Sequence, residues 1–295
     1  MSPGFVNGTE SSRIVDNTTE RGFDMVDEFQ VNQFKLADGP LAVVIASINF
    51  NDIHNPDPSQ LTAIRECLAG AGYVNENRQA QRNVTFTGTS NPRMEDFTVY
   101  QYLNADRTRG ASLSRQSLSY FASSHNGIDE LTTEFNQIIS CFQETLKCRV
   151  VNNLGLRYVN VFKLESIPSV KISPSLTGLG HRGLTEPNGH FHHNYEFWCD
   201  TGNGRLHTRY AVTHGDRRPE QLGTANSVFP ADKLASYSDH FCHLDIFENT
   251  HKLERELELA ERTQILRDLN RRIEQAFLNS VTDEAMNQWG ATKVE

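Results

Sequence analysis

The sequence predicts an α+β fold of two similar halves, each an antiparallel sheet closed by a helix, with a disordered N-terminal arm. Three observations carry that reading. Residues 1–33 are rich in Asn, Thr, Glu and Asp and lack apolar periodicity, the composition of a segment with too little apolar surface to order itself. Residues 34–150 and 151–295 each hold a cluster of strand-like runs separated by turn chemistry. In both, a helical pattern follows the strands, the element order of an α+β domain.

In the first half, order begins near Phe34, and the turn pair Gly39-Pro40 leads into Leu41–Phe50, a nearly continuous apolar run typical of a strand buried on both faces. The cluster Asn55-Pro56-Asp57-Pro58 stops it, and Ser59 is the expected cap of a short helix over Gln60–Leu68 that ends at Gly70 and Gly72. Three strand-like runs follow: Gln79–Thr87, Phe97–Asn104 and Ala111–Phe121, the last two joined by the turn at 105–110. Ile128–Leu146 closes the half. Leu131, Phe135, Ile138, Ile139 and Phe142 recur at helical spacing and mark one buried stripe.

The second half starts with the alternating strand Leu156–Leu164, followed by a loop-rich connection over 168–189. His190–Cys199 and Arg205–Thr213 flank Asp200-Thr201-Gly202-Asn203-Gly204, a strong hairpin signal. Residues 219–238 read as loop and His240–Glu248 as a strand. A charged helical region then runs from about 252 to 280. Its apolar stripe of Leu253, Leu257 and Ala260 changes phase near Arg262-Thr263, which predicts a bend there. Thr282-Asp283-Glu284 starts a last short helix that reaches Trp289.

Composition narrows the functional classes. The chain has 295 residues, a formal charge of −9, and 22% charged side chains. A net acidic chain opposes sequence-independent nucleic-acid binding, which depends on releasing counterions from phosphates. No apolar run approaches the roughly 20 residues that span a bilayer, so no membrane partner is expected. The first residues carry neither a basic n-region nor an apolar h-region. Five cysteines in no Cys-x-x-Cys pair suit reduced thiols in the cytoplasm. Cys199 and Cys242 fall on strand faces that read as buried.

Nine of the eleven histidines lie between His181 and His251, which draws attention to the strands there. Alternation puts Phe191, His193, Tyr195, Phe197 and Cys199 on the core side of one strand and His190, His192, Asn194 and Glu196 opposite. His207, Arg209, His243 and Asp245 share that second face if the strands are neighbours. Imidazole and carboxylate are ligands for zinc, iron or manganese, so a metal-dependent hydrolase or nuclease using His190, His192, Glu196, His243 and Asp245 is one reading. In it, His190, His192, His243 and Asp245 hold the metal. The competing reading is a wetted sheet face with ordinary cross-strand pairs. It is favoured, because His-Glu-x-x-His is absent and no nucleophile motif accompanies the histidines. Gly178-Leu179-Gly180-His181-Arg182-Gly183 matches a dinucleotide motif by letter only, since neither the strand before it nor the helix after it is present. Six arginines between Arg78 and Arg115 mark a second candidate surface, with Arg107, Arg109 and Arg115 as anion-binding residues.

Several segments resemble a sporadically distributed bacterial family of no assigned activity. They are Leu36 to Leu41 with the following strand, Phe97–Phe121, Leu156-Arg157-Tyr158-Val159-Asn160, Leu244-Asp245-Ile246, and Leu269 to Trp289 with Phe277 and Val281-Thr282-Asp283. The resemblance covers roughly residues 34–290. The family's closing helix commonly carries a His before the Phe, where this chain has Arg271 and Arg272. The shared residues are mostly core, strand and cap types. Within the segments 156–160 and 244–246 only Arg157 and Asp245 are charged, and they are expected to pair as a structural or ligand-binding ion pair. The resemblance implies a gene carried in bacterial defence or toxin–antitoxin cassettes. The leading expectation is a non-enzymatic cytoplasmic binding or interaction protein without a cofactor, recognising a protein partner or small ligand. A homodimer is compatible with this pattern, and the metal hydrolase is the alternative.

Overall fold

A computed structural model describes residues 34–50, 56–85, 93–163, 193–214, 222–230 and 240–293. In chain order the elements are β1 (Phe34–Leu36), β2 (Leu41–Phe50), α1 (Pro58–Gly70), β3 (Asn75–Thr85), β4 (Arg93–Leu103), β5 (Arg109–Leu113), β6 (Ser117–Ala122) and α2 (Ile128–Leu146). Then come β7 (Val151–Lys163), β8 (His193–Asp200), β9 (Gly204–His214), a 3-10 turn at Gly223–Ser227, β10 (His240–Thr250), α3 (Leu259–Ser280), α4 (Asp283–Gln288) and β11 (Ala291–Lys293). The arm expected over 1–33 lies outside the described residues, as do His190 and His192.

The α+β class holds, but the strands of both segments run into one antiparallel sheet of nine, ordered β3-β4-β5-β6-β2-β7-β10-β9-β8. The join is β2 against β7. Both strands carry apolar side chains on both faces, so the centre of a wide sheet, covered above and below, is where they bury most. On one face, Ala46 and Ile48 of β2, Leu154 and Leu156 of β7, and Leu244 and Ile246 of β10 meet the helices. Phe135, Ile138 and Phe142 of α2, Leu266, Leu269 and Ile273 of α3, and Ile64 and Leu68 of α1 supply the other half of that core. On the opposite face a smaller core joins Val43, Phe121, Val159, Val161 and Phe241 to Leu222, Val228 and Phe229 of the 3-10 segment. A separate two-stranded ladder pairs β1 with β11.

Several sequence expectations are corrected. The run Ala111–Phe121 is two strands, β5 and β6, because Ser114 and Ser117 tie a turn with their hydroxyls 2.7 Å apart. Asp57 rather than Ser59 caps α1: its Oδ1 accepts from Ser59 N at 2.8 Å and Gln60 N at 2.9 Å, and the Gln60 side chain accepts from Asp57 N. Residues 252–258 are not helical. Leu253 N donates to Asn152 O and Val151 N to Arg255 O, so this stretch lies against the start of β7. The phase change near Arg262 therefore reflects a late helix start; α3 runs through Arg262-Thr263 without interruption.

Strand β8 departs most from its expected burial. Tyr195, Phe197 and Cys199 are exposed, Phe197 at 53%. Among the described residues β8 is the sheet edge, and α3 packs across β7, β10 and β9 without covering it. Cys242, on the helical face of β10, is buried. The expectation of reduced thiols also fails at one pair: Cys67 of α1 and Cys141 of α2 form a disulfide with a Cα–Cα distance of 5.8 Å.

Candidate functional site

The face of the sheet away from the helices carries the polar chemistry. Because side chains alternate, β7 turns Arg157 to this face and Leu156 and Tyr158 to the helices, while β10 turns Asp245, Phe247 and Asn249 to it. Register then builds two rows running across the strands. One row reads Ile45, Arg157, Phe247, His207, Trp198 over β2, β7, β10, β9 and β8. The next reads Gln101, Ser112, Ser119, Ser47, Gly155, Asn249 over β4, β5, β6, β2, β7 and β10. Aromatic groups thus lie alongside a line of hydroxyls and amides.

A cavity of about 450 Å³ opens where these rows meet the 3-10 segment. Its floor is Ser47, Ser112, Ser119 and Asn249; Phe97 and Phe247 give it apolar walls, and Gly223 and Thr224 roof it. The roof is pinned. Gln101 Nε2 donates to Thr224 O at 2.8 Å and Ser227 Oγ at 2.6 Å, and Thr224 Oγ1 bonds Ser112 Oγ at 3.0 Å. Gly155 shapes the floor: a Cβ there would meet Asn249 Oδ1 at 2.1 Å and Ser47 Oγ at 2.8 Å. Its lack of a side chain lets the Asn249 amide lie over β7 toward Ser47.

Among the described residues lining the cavity, Arg157 is the one that is ionisable. The structure brings it to Asp245 in a bidentate pair, Nε to Oδ1 at 2.8 Å and Nη2 to Oδ2 at 2.6 Å. The Asp245 side chain is 5% exposed and that of Arg157 18%, so the pair is largely withdrawn from water. Beyond it, Arg209 and His207 approach Glu196 at 3.6 and 3.7 Å. His207 stacks under Trp198, rings 3.7 Å apart and 9° from parallel, and Phe247 meets it edge-on at 4.6 Å. Burial holds the His207 imidazole below its usual pKa, so it is neutral at pH 7 and stacks as an aromatic ring.

Of the metal reading, Glu196, His243 and Asp245 do lie on this face, His243 and Asp245 on β10 and Glu196 two strands away on β8. Among the described residues no group of three or more His, Cys, Asp or Glu is placed to hold a metal ion. The arginine surface is matched locally by carboxylates. Arg109 bonds Glu134 with Glu130 at 3.9 Å, Arg115 bonds Glu95, Arg82 bonds Asp96 at 2.6 Å, and Arg78 bonds Glu76 at 2.6 Å. Arg107 occupies a left-handed turn position, φ 56°.

The hydroxyl row, Gln101, the roof and Trp198 were not singled out by sequence reasoning. A signal for the first exists: in Ala111–Ser119 the serines at 112, 114, 117 and 119 surround Leu113 and Leu118. That is a two-residue alternation on either side of a turn, with small polar groups on one face. Comparison of the chain with family models, curated proteins and solved structures gave no match.

Proposed function

We propose that the chain is a binding protein that takes a small ligand into the cavity on the face of its sheet opposite helices α1, α2 and α3. One observation carries the reading: a partly open cavity of about 450 Å³, within the roughly 300–1,000 Å³ of small-molecule sites, lined by hydroxyls, amides and aromatic rings. Among the described lining residues the one ionisable side chain, Arg157, is engaged by Asp245. Such a site supplies orientation and hydrogen bonds, the needs of binding. We read the chain as two halves, 34–150 and 151–295, with the cavity across their junction. Ser47, Ser119 and Phe97 come from the first and Arg157, Phe247, Asn249 and Thr224 from the second.

Thermal unfolding in the presence of a chemically diverse small-molecule library tests this. Ligands that raise the melting temperature of the wild-type protein are expected to lose that effect in Ser47→Phe, which fills the floor. Ligands that stabilise both proteins equally, or a library with no stabilising member, would refute the cavity as the site.

A further inference from the structure

We infer that the ligand is a short uncharged oligosaccharide, held partly in the cavity and partly on the outer face of Trp198. This inference rests on the cavity being the binding site. Three features select the class. Arg157 and Asp245 cancel each other, and the chain carries −9 overall, so neither a lone anion nor a polyanion is matched by surplus positive charge. The floor offers Ser47, Ser119 and the Asn249 amide. A hydroxyl or amide both donates and accepts, which complements sugar hydroxyls that do the same.

The third feature is an aromatic track leading out of the cavity. Phe247 lines the cavity, and its ring centre is 6.0 Å from that of Trp198, which is 52% exposed. One indole face rests on His207, leaving the other outward and the ring fixed in place. A rigid, half-wet aromatic face suits a ligand with an apolar side and a polar rim, as the C–H face of a pyranose presents. Phe247, His207 and Trp198 sit on adjacent strands β10, β9 and β8, spaced about 4.8 Å apart, so the ligand runs across the strands. Glu196, on the same face of β8 and 41% exposed, is placed to accept a hydroxyl at that end.

Tryptophan emission is the readout, because the chain has only Trp198 and the buried Trp289. Gluco-, manno-, xylo-, galacto- and chito-oligosaccharides are titrated into the full-length protein. Uncharged nucleosides and a single-stranded oligonucleotide serve as alternative probes. The inference predicts a saturable change in emission with at least one neutral saccharide, and none in Ser47→Phe. Binding of the same saccharide, followed calorimetrically, is expected to weaken up to about tenfold in Trp198→Ala, the loss of one stacking contact. Saturation by a nucleoside or the oligonucleotide but by no saccharide, still abolished by Ser47→Phe, overturns the carbohydrate and keeps the cavity. No response to any probe overturns both.

Discussion

The Arg157–Asp245 pair shows what a single charge does on this face. Both groups are largely out of water, so each stabilises the fold only while the other is present. Asp245→Ala is expected to cost about 3 kcal/mol, because it removes both bonds of a bidentate pair from a largely buried guanidinium. The double variant Arg157→Met/Asp245→Leu should recover most of that loss, and urea unfolding of the three proteins checks it. A second residue on the helical side links stability to pH. Burial raises the Glu274 pKa above the usual carboxylate range, partly offset by the Asn270 amide at 2.7 Å. The folded protein then holds a proton that the unfolded chain has released, so this group's contribution falls as pH rises from the ordinary carboxylate pKa toward the raised one. Glu274→Gln should remove that decline and leave a more stable protein at pH 7 than at pH 4, relative to wild type. Urea unfolding at several pH values measures the difference. The sequence made Arg157 and Asp245 visible as rare charges among apolar strand residues. It left Ser47, Ser119 and Asn249 unmarked, because a small polar residue on a strand looks the same facing a cavity or bulk water.

Elements were legible where the pattern is long and self-contained. Helix α2 spans the expected Ile128–Leu146, since five apolar residues at helical spacing fix its buried stripe without outside help. The turn between β5 and β6 was missed because Ser114-Arg115-Gln116 has no Gly, Pro, Asn or Asp, and its stability comes from serine hydroxyls. Burial of β8 was misjudged for a different reason: its alternation is genuine, but whether a helix covers it depends on its place in the strand order. The β8–β9 hairpin and its seam with β10 also rely on a close approach. A Cβ on Gly204 would fall 2.2 Å from the Asn249 carbonyl oxygen, which is backbone and has nowhere to go. Gly155 faces instead the end of the Asn249 side chain, which can rotate away. Gly204→Ala is therefore expected to be the more destabilising of the two, by about 1–3 kcal/mol, in paired denaturant titrations. Equal losses would mean that the seam yields more readily than its geometry implies.

At the scale of the molecule, one continuous sheet replaces the two sheets expected from the repeated strand-then-helix outline. Nothing local distinguishes these possibilities; the choice lies in the pairing of β2 with β7, residues far apart in sequence. The helices cover one side, joined by the Cys67–Cys141 bond across a separation of 74 residues. Closing a loop of that length restricts the unfolded chain and contributes up to about 4 kcal/mol. Reduction, or the Cys67→Ser/Cys141→Ser variant, should lower stability by about 2–4 kcal/mol. Alkylation before and after reduction should expose two additional thiols. Five thiols reactive in the unreduced, unfolded protein would contradict the bond.

With the described helices α1, α2 and α3 on one side of the sheet, the other side carries the rows of serines, amides and aromatic rings, and the 3-10 segment turns part of it into a cavity. The most direct test is a crystal structure of the protein with the tightest small molecule found by thermal screening. Density for that molecule is expected among Ser47, Ser119, Asn249 and Phe247, beside Thr224. Density on the helical side, with this cavity holding only solvent, would contradict it.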